Sequence, residues 1–297
     1  MESPDHQRFN PPVERHVLVA EEPVHAVGAW VRERIGSDAD AALSHRGVHF
    51  RGERLAEWPD ALEAGDVLRV YLFRRAPEVV QISSADVLYD RDGWVAVNKP
   101  AWLPVQGTRA SLTISLETQL RSLVGCDWLS PVHRLDRQTS GVNLFARTPQ
   151  AFEAAAAQFR RRTARKVYLT RVESAPILRA FSVEGYICRA HHGSHSAFQL
   201  CPEPGPDSRY SRTEFIQREG TLLEARPITG RTHQIRVHLA ARGCPVAGDT
   251  LYGQPWSPGA PQRVLLHAAA LTLGALTLEA PTPRDLDPEP DADARAR

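Results

Sequence analysis

Residues 131–146 read Pro131-Val132-His133-Arg134-Leu135-Asp136-Arg137-Gln138-Thr139-Ser140-Gly141-Val142-Asn143-Leu144-Phe145-Ala146. One acid sits among three bases and two hydroxyls, and the polar run opens directly into an apolar strand, Val142 to Ala146. Such a loop holds a single carboxylate at a strand edge, where it can serve as nucleophile or base. The bland alternative is an aspartate that caps a turn and pairs with an arginine.

Working downstream, Thr148 is placed as a helix N-cap with Pro149 at the first helical position, so AFEAAAAQFRRR is expected to be helical. The tail of that helix, Arg160 to Lys166, carries five bases among seven residues and leads straight into a strand, Val167 to Val172. A stretch rich in loop residues follows, containing HHGSH and PEPGPDS. Leu222 to Pro227 then reads as a strand, and Thr229-Gly230 opens a helix that ends at Gly243. Upstream, Val87 to Tyr89, a turn at Asp90 to Gly93, and Trp94 to Asn98 read as a hairpin that ends at Lys99-Pro100. Short strands with turn punctuation and few helices, without a βαβ rhythm, give a mixed α+β domain.

Residues 226–236, Arg226-Pro227-Ile228-Thr229-Gly230-Arg231-Thr232-His233-Gln234-Ile235-Arg236, form the second dense polar cluster. Gly230 permits a tight turn, and Arg231, expected in the first helical turn, can bind a phosphate or a carboxylate. A capped helix with solvated bases is the simpler reading. HRLDRQTSGVN departs from the kinase catalytic loop because Leu and Asp are transposed, and no glycine-rich phosphate loop or DFG accompanies it. His191, His192 and His195 lack the carboxylate or cysteine spacing of a metal site, so an exposed histidine loop is expected and no metal.

Net charge +1 conceals an uneven distribution: residues 1–80 carry −4, 81–280 carry +7 and 281–297 carry −2. The cations of the middle are almost all arginine, Lys99 and Lys166 being the only lysines in the chain. Arginine's planar fork suits phosphates and stacked bases, although a GC-biased genome would also favour it. Residues 23–75 read as a small α/β unit: an apolar-periodic segment from Val24 to Ile35, then Gly47 to Phe50, and a Gly65-Asp66 turn into the strand Val67 to Phe73. Pro77 begins a linker. The ends, 1–15 and 281–297, are rich in proline and charge and are expected to be disordered.

The longest apolar stretch, Val264 to Leu278, spans about 15 residues, is broken by His267 and Gly274, and is too short to cross a bilayer. The N-terminus has acids and prolines where a signal peptide needs an apolar core. Cys126, Cys188, Cys201 and Cys244 lie far apart without a CxxC pair, so neither a disulfide framework nor a zinc knuckle is expected, and a cytoplasmic setting is.

HRLDRQTSG with VNLFAR, RKVYLTRV some way downstream, and RPITGRTHQIRVHLAARGCPVAGDTLYG together resemble the RluA-type pseudouridine synthases. VNKPAWLPVQGT is similar to that family's opening strand and loop, and RVLLHAAALTL to its closing one. The resemblance covers residues 86 to about 280. It implies a pseudouridine synthase fold over 81–280: a mixed, mostly antiparallel sheet with flanking helices and loops around a central RNA-binding cleft. GVHFRGERLAEWPDALEAGDVLRV resembles a small S-four-like RNA-binding module, implied over 16–76. Asp136 is implied as the essential nucleophile or base, and Arg231 as the arginine that pairs with it. Tyr168 is implied to stack on the target uracil, Arg134 to fill the gap left by the flipped nucleotide, and Leu266 to form an apolar floor. Arg160, Arg161, Arg162, Arg165 and Lys166 are implied RNA contacts.

The expected partner is therefore a ribosomal or transfer RNA stem-loop, with no cofactor, no metal, no membrane and a monomeric chain. Two other classes compete. One is a catalytically silent RNA-binding or ribosome-assembly factor on the same fold, which replacement of Asp136, Tyr168 or Arg231 would favour. The other is a metal-dependent hydrolase using the histidine loop.

Overall fold

A computed structural model describes residues 3–74, 76–192 and 195–286, the side chains of 191, 192, 195 and 196 excepted. The described chain forms two compact units: residues 5–82 with 102–127, and residues 83–101 with 128–286, to which residues 3 and 4 also belong.

The smaller unit contains α1 (Pro4–Phe9, whose first residue belongs to the larger unit), β1 (Val13–Val19), α2 (Val27–Ile35), α3 (Asp38–Ser44), β2 (Val48–Phe50), β3 (Glu53–Arg54), β4 (Val67–Phe73) and α4 (Leu116–Val124). Its sheet runs in the order β1-β4-β2-β3, antiparallel throughout. Strand alternation sends Leu68, Val70 and Leu72 of β4 inward, where they meet Val27 and Val31 of α2 and Ala39 and Ala42 of α3 in one core. The Gly65-Asp66 turn stands where expected, with Gly65 at φ 92° and the Asp66 carboxylate accepting from Glu63 N–H at 2.9 Å.

The first segment of the smaller unit ends at residue 82, close to the linker expected from Pro77, but residues 102–127 also pack with the N-terminal elements. Leu112 N–H donates to the His45 carbonyl at 2.9 Å, and Gln119 bonds both Ile82 N–H and the Val80 carbonyl, each at 2.9 Å. Gly47 permits this approach, since a Cβ there would lie 2.7 Å from the Ala110 carbonyl oxygen.

In the larger unit lie β5 (Val87–Arg91), β6 (Trp94–Lys99), β7 (Ser130–Pro131), β8 (Ser140–Ala146), α5 (Pro149–Arg161), β9 (Arg165–Arg171), β10 (Ala180–His192), β11 (His195–Cys201), β12 (Arg209–Glu219), β13 (Leu222–Pro227), α6 (Gln234–Ala241), β14 (Leu266–Leu273) and β15 (Leu276–Glu279). They build one sheet of 11 strands in the order β11-β10-β12-β13-β9-β14-β8-β6-β5, with β15 on β14 and β7 on β8. Every pairing is antiparallel except β14 with β8. This is the mixed, mostly antiparallel α+β architecture expected from the sequence. β8 is buried along its whole length, which is why it reads as a near-continuous apolar run. At its start, Gly141 has φ 107° and a Cβ would fall 2.2 Å from the Ala268 carbonyl oxygen, so the parallel contact with β14 requires glycine.

Three local expectations need correction. Residues 180–192 and 195–201 are not loop but the paired strands β10 and β11 at the edge of the sheet. Their register sets Tyr186 opposite Cys201 and Cys188 opposite Gln199, which makes the two cysteines diagonal neighbours and joins them in a disulfide. The termini are also ordered further than composition suggests: β1 begins at Val13, and Leu286 is fully buried. Residues 287–297 of the expected acidic tail lie outside the described residues, as do the side chains of His191, His192 and His195.

Candidate active site

Asp136 lies in the loop between β7 and β8, and its own backbone turn is closed by Thr139 N–H donating to the Asp136 carbonyl at 3.1 Å. Two buried cations grip the loop just beyond it. Lys99, at the end of β6 and fully buried, donates through Nζ to the Pro100 carbonyl at 2.8 Å and the Arg137 carbonyl at 3.0 Å. Burial, reinforced by Arg263 and Arg137, pushes the Lys99 ammonium well below its ordinary pKa, while Asp136 opposes that shift. Arg263 donates to the Gln138 carbonyl at 3.2 Å.

The carboxylate itself is 29% exposed and faces α6 and the turn before it: Arg236 Nη1 stands 3.4 Å from Asp136 Oδ2, and His233 Nε2 3.9 Å. Arg236 is 9% exposed and locked from behind by Asp249, through Nε to Oδ2 at 2.6 Å and Nη2 to Oδ1 at 2.9 Å. Asp249 has no exposed side-chain surface and also accepts the N–H groups of Leu251 and Tyr252. Burial alone would weaken the guanidinium's hold on its proton, but the hydrogen bonds and charge of Asp249, joined by Asp136, drive its pKa above the ordinary arginine value. The planar fork is thus held on one edge and directed toward Asp136 on the other. Tyr252 lies beneath it, its ring centroid 5.0 Å from the guanidinium carbon.

Tyr252 also completes a chain of contacts. Phe198 N–H donates to its hydroxyl at 3.1 Å, and the hydroxyl lies 2.8 Å from His233 Nδ1. Burial raises the phenol to about 12 and lowers the His233 imidazole from its ordinary value. His233 adopts a left-handed backbone, φ 55°, as the residue before α6. A side-chain amide organises that helix start: Gln234 donates to the Arg212 carbonyl and Thr213 Oγ1, and accepts from Thr229 Oγ1 and Arg231 N–H.

Tyr168, on β9 opposite Ala225 of β13 and Ala268 of β14, packs against the core that contains Leu266. Burial first, and then the Asp136 charge, push its phenol pKa upward, so the ring stays neutral. Among the described residues no group of three His, Cys, Asp or Glu could hold a metal ion, and no helix is long and apolar enough to cross a membrane.

A sequence profile described as RNA pseudouridylate synthase matches residues 93–241. The Vibrio cholerae serotype O1 protein named dual-specificity RNA pseudouridine synthase RluA is 35% identical over 189 residues, covering 63% of this chain and 76% of its own. The Xanthomonas campestris ribosomal large subunit pseudouridine synthase D is 34% identical over 243 residues, covering 73% of this chain and 72% of its own. Among solved structures, human RNA Pseudouridylate Synthase Domain Containing 1 superposes with a TM-score of 0.56 at 25% identity, over 70% of this chain and 89% of that one.

The chain belongs to the RNA pseudouridylate synthase family.

As a member of that family it is an isomerase acting on RNA, and the family fold accounts for the large mixed sheet. The expected residues fall as follows. The Asp136 charge acts on the Tyr168 phenol, and Arg134 is exposed on the same loop as Asp136. Leu266 is a core residue 4% exposed, and its carbonyl accepts from Arg263 at 3.3 Å. Arg160, Arg161, Arg162 and Arg165 are exposed around the end of α5, while Lys166 turns inward and donates to the Thr229 carbonyl at 2.7 Å.

Arg231 does not pair with Asp136. Its Nε donates to the Tyr210 carbonyl at 3.0 Å, and Arg209 and Arg162 are the charges near it. The helix starts three residues later than expected, at Gln234, so Arg231 lies in the turn and Arg236 occupies the inward face. Arg236, Asp249, Tyr252, His233 and Lys99 were not singled out from sequence. The signal available for Arg236 was its position between Ile235 and Val237 in a largely apolar helix, where a buried charge must be paired.

Proposed function

We propose that this synthase isomerises a uridine in a structured ribosomal or transfer RNA, with Asp136 as its catalytic carboxylate, and that it is of the RluA type. The observation that carries the reading is a partly exposed carboxylate set against a guanidinium that a second, buried carboxylate immobilises. An anion fixed in this way can act on a substrate without reorganising. The reaction breaks the bond from ribose C1′ to uracil N1 and forms one from C1′ to C5; the hydrogen at C5 is lost and N1 gains one. No electrons are exchanged with an external reagent, so the residues of the loop suffice as acid, base or nucleophile. Asp136 serves by attacking the sugar, attacking the base or removing a proton.

A stacked uridine must leave the helix to reach Asp136, at a cost of roughly a few kcal/mol. Tyr168 offers the ring on which the detached uracil stacks, Leu266 backs that ring in the core, and exposed Arg134 fills the vacated gap. Arg231 is then a phosphate contact, since it stands among Arg162, Arg209 and Lys166. The relatives' names, which include a dual-specificity RNA enzyme and a ribosomal large subunit enzyme, support an RNA substrate.

The test is carbodiimide-dependent reverse-transcription mapping of RNA from cells lacking the gene, complemented with wild type or D136N. Wild type is expected to restore a stop that D136N does not, while purified D136N still binds the RNA. Restoration by D136N would overturn the assignment; no stop with wild type would favour an RNA-binding factor on this fold.

A further inference from the structure

Arg263, just before β14, is a buried cation that the chemistry above does not use. It is 7% exposed on its side chain and makes five hydrogen bonds. Nη1 donates to the carbonyls of Gln138 at 3.2 Å, Val264 at 2.9 Å and Leu266 at 3.3 Å. Nε and Nη2 grip Asp285 as a bidentate fork, at 2.7 Å and 2.8 Å. Gln138 is held a second time, because its Oε1 accepts Val264 N–H at 2.8 Å. Gln138 is two residues from Asp136, inside the turn that Thr139 closes.

Asp285 comes from the segment that follows β15. Ala280 N–H donates to the Ala269 carbonyl at 2.9 Å as the chain leaves the sheet, and Leu286 is buried completely. The Leu286 carbonyl accepts from Arg171 Nε at 3.2 Å, on the strand that carries Tyr168. One apolar anchor and two arginines therefore tie this segment to both the Asp136 loop and β9.

We propose that Arg263 and Asp285 form a positioning clamp, in which the C-terminal segment orients the Arg263 fork and the fork sets the Gln138 carbonyl, and with it the Asp136 carboxylate. A guanidinium without Asp285 would keep its charge but lose the fixed edge that aims Nη1 at three carbonyls. The inference rests on Asp136 being the catalytic carboxylate. Displacements of about 1 Å in a reacting group cost up to roughly 100-fold in rate, so a loosened turn should act on turnover and not on RNA capture.

The test uses full-length D285N, D285E and R263K. D285N and R263K are expected to lower the rate at saturating RNA by about tenfold or more, with KM and RNA affinity within about twofold. D285E should recover most of the rate. Hydrogen–deuterium exchange should rise in a peptide covering residues 133–141 and stay unchanged in peptides from β10 and β12. Equal acceleration of exchange across the whole unit, or unchanged rate and exchange, would overturn the clamp. Should wild type convert no uridine, the catalytic reading fails separately, and unchanged exchange over 133–141 would still overturn the clamp.

Discussion

In the unit built on the four-stranded sheet, Arg8, Arg32, Arg51 and Arg74 meet Glu78, Asp40, Asp66 and Glu14 with each guanidinium about half exposed or more. In the unit built on the eleven-stranded sheet, Arg236 and Arg263 meet Asp249 and Asp285 with less than a tenth of the guanidinium side chain exposed. Water and salt screen the first kind of pair, and long side chains lose entropy to form it, so it contributes little to stability. The second kind is costly to break from the acid's side, because the guanidinium then stays buried and uncompensated. That rigidity suits it to aim a group at a reacting centre. Arg161, Arg162 and Arg165 are exposed with no ion pair among the described residues, whereas in the smaller unit about half of the described arginines are paired with its own acids.

The sharpest way to break this contrast is to remove one cation from each kind of pair. R236Q leaves Asp249 buried without its partner and Asp136 without its nearest cation, and is expected to abolish isomerisation and lower stability by about 3–5 kcal/mol. R32Q should leave both unchanged. Denaturant midpoints and single-turnover rates on the two variants decide it, and equal stability losses would show that burial is not what separates the pairs.

A smaller effect is expected in RNA binding. R160Q/R161Q/R162Q should flatten the dependence of affinity on salt, with roughly one unit of slope lost per phosphate contact removed. R15Q/R51Q/R69Q, made in the smaller unit, should change the slope much less. The reverse order would place the main grip on RNA in the smaller unit.

The smallest effect concerns Lys166. Burial, and next the charge of Arg231, lower its ammonium to about 8. The folded chain therefore releases this proton before the unfolded chain does. Wild type should gain stability relative to K166R as pH rises from about 8 toward the ordinary lysine value, and lose RNA affinity over the same range. Binding titrations at pH 7 and 9 check the second half; K166R, which stays charged, should show no such loss.

Elements governed by neighbouring residues were readable in the sequence. Thr148 caps α5 as expected, accepting from Ala151 N–H at 3.1 Å, and Pro149 begins the helix. β13 spans Leu222–Pro227 and β4 spans Val67–Phe73, the ranges that alternation and turn residues indicate. The Asp136 loop was legible because a lone acid among bases beside an apolar strand is an unusual composition. The strand pair β10–β11 was not, since its alternation is interrupted by histidines and its flanks are dense in proline and glycine. The membership of residues 102–127 in the smaller unit was not legible for a related reason: a proline marks a local break, but contacts such as Leu112 to His45 have no local signal.

What the sequence determined by itself was the set of parts: the α+β class, the carboxylate at 136 and the basic run that ends in Lys166, whereas the tyrosine at 168 was singled out only by the family resemblance. These depend on hydrophobic periodicity, capping and composition, all of which act over a few residues. Which arginine faces Asp136 was decided only by tertiary structure. Arg231 and Arg236 are five residues apart, and the left-handed turn at His233, held by Gln234 and Tyr252, sends one toward the Tyr210 carbonyl and the other toward the carboxylate. Asp249 and Asp285 became partners of Arg236 and Arg263 for the same reason: a buried guanidinium needs a fixed anion, and only the folded chain brings residues so far apart in sequence within hydrogen-bond reach.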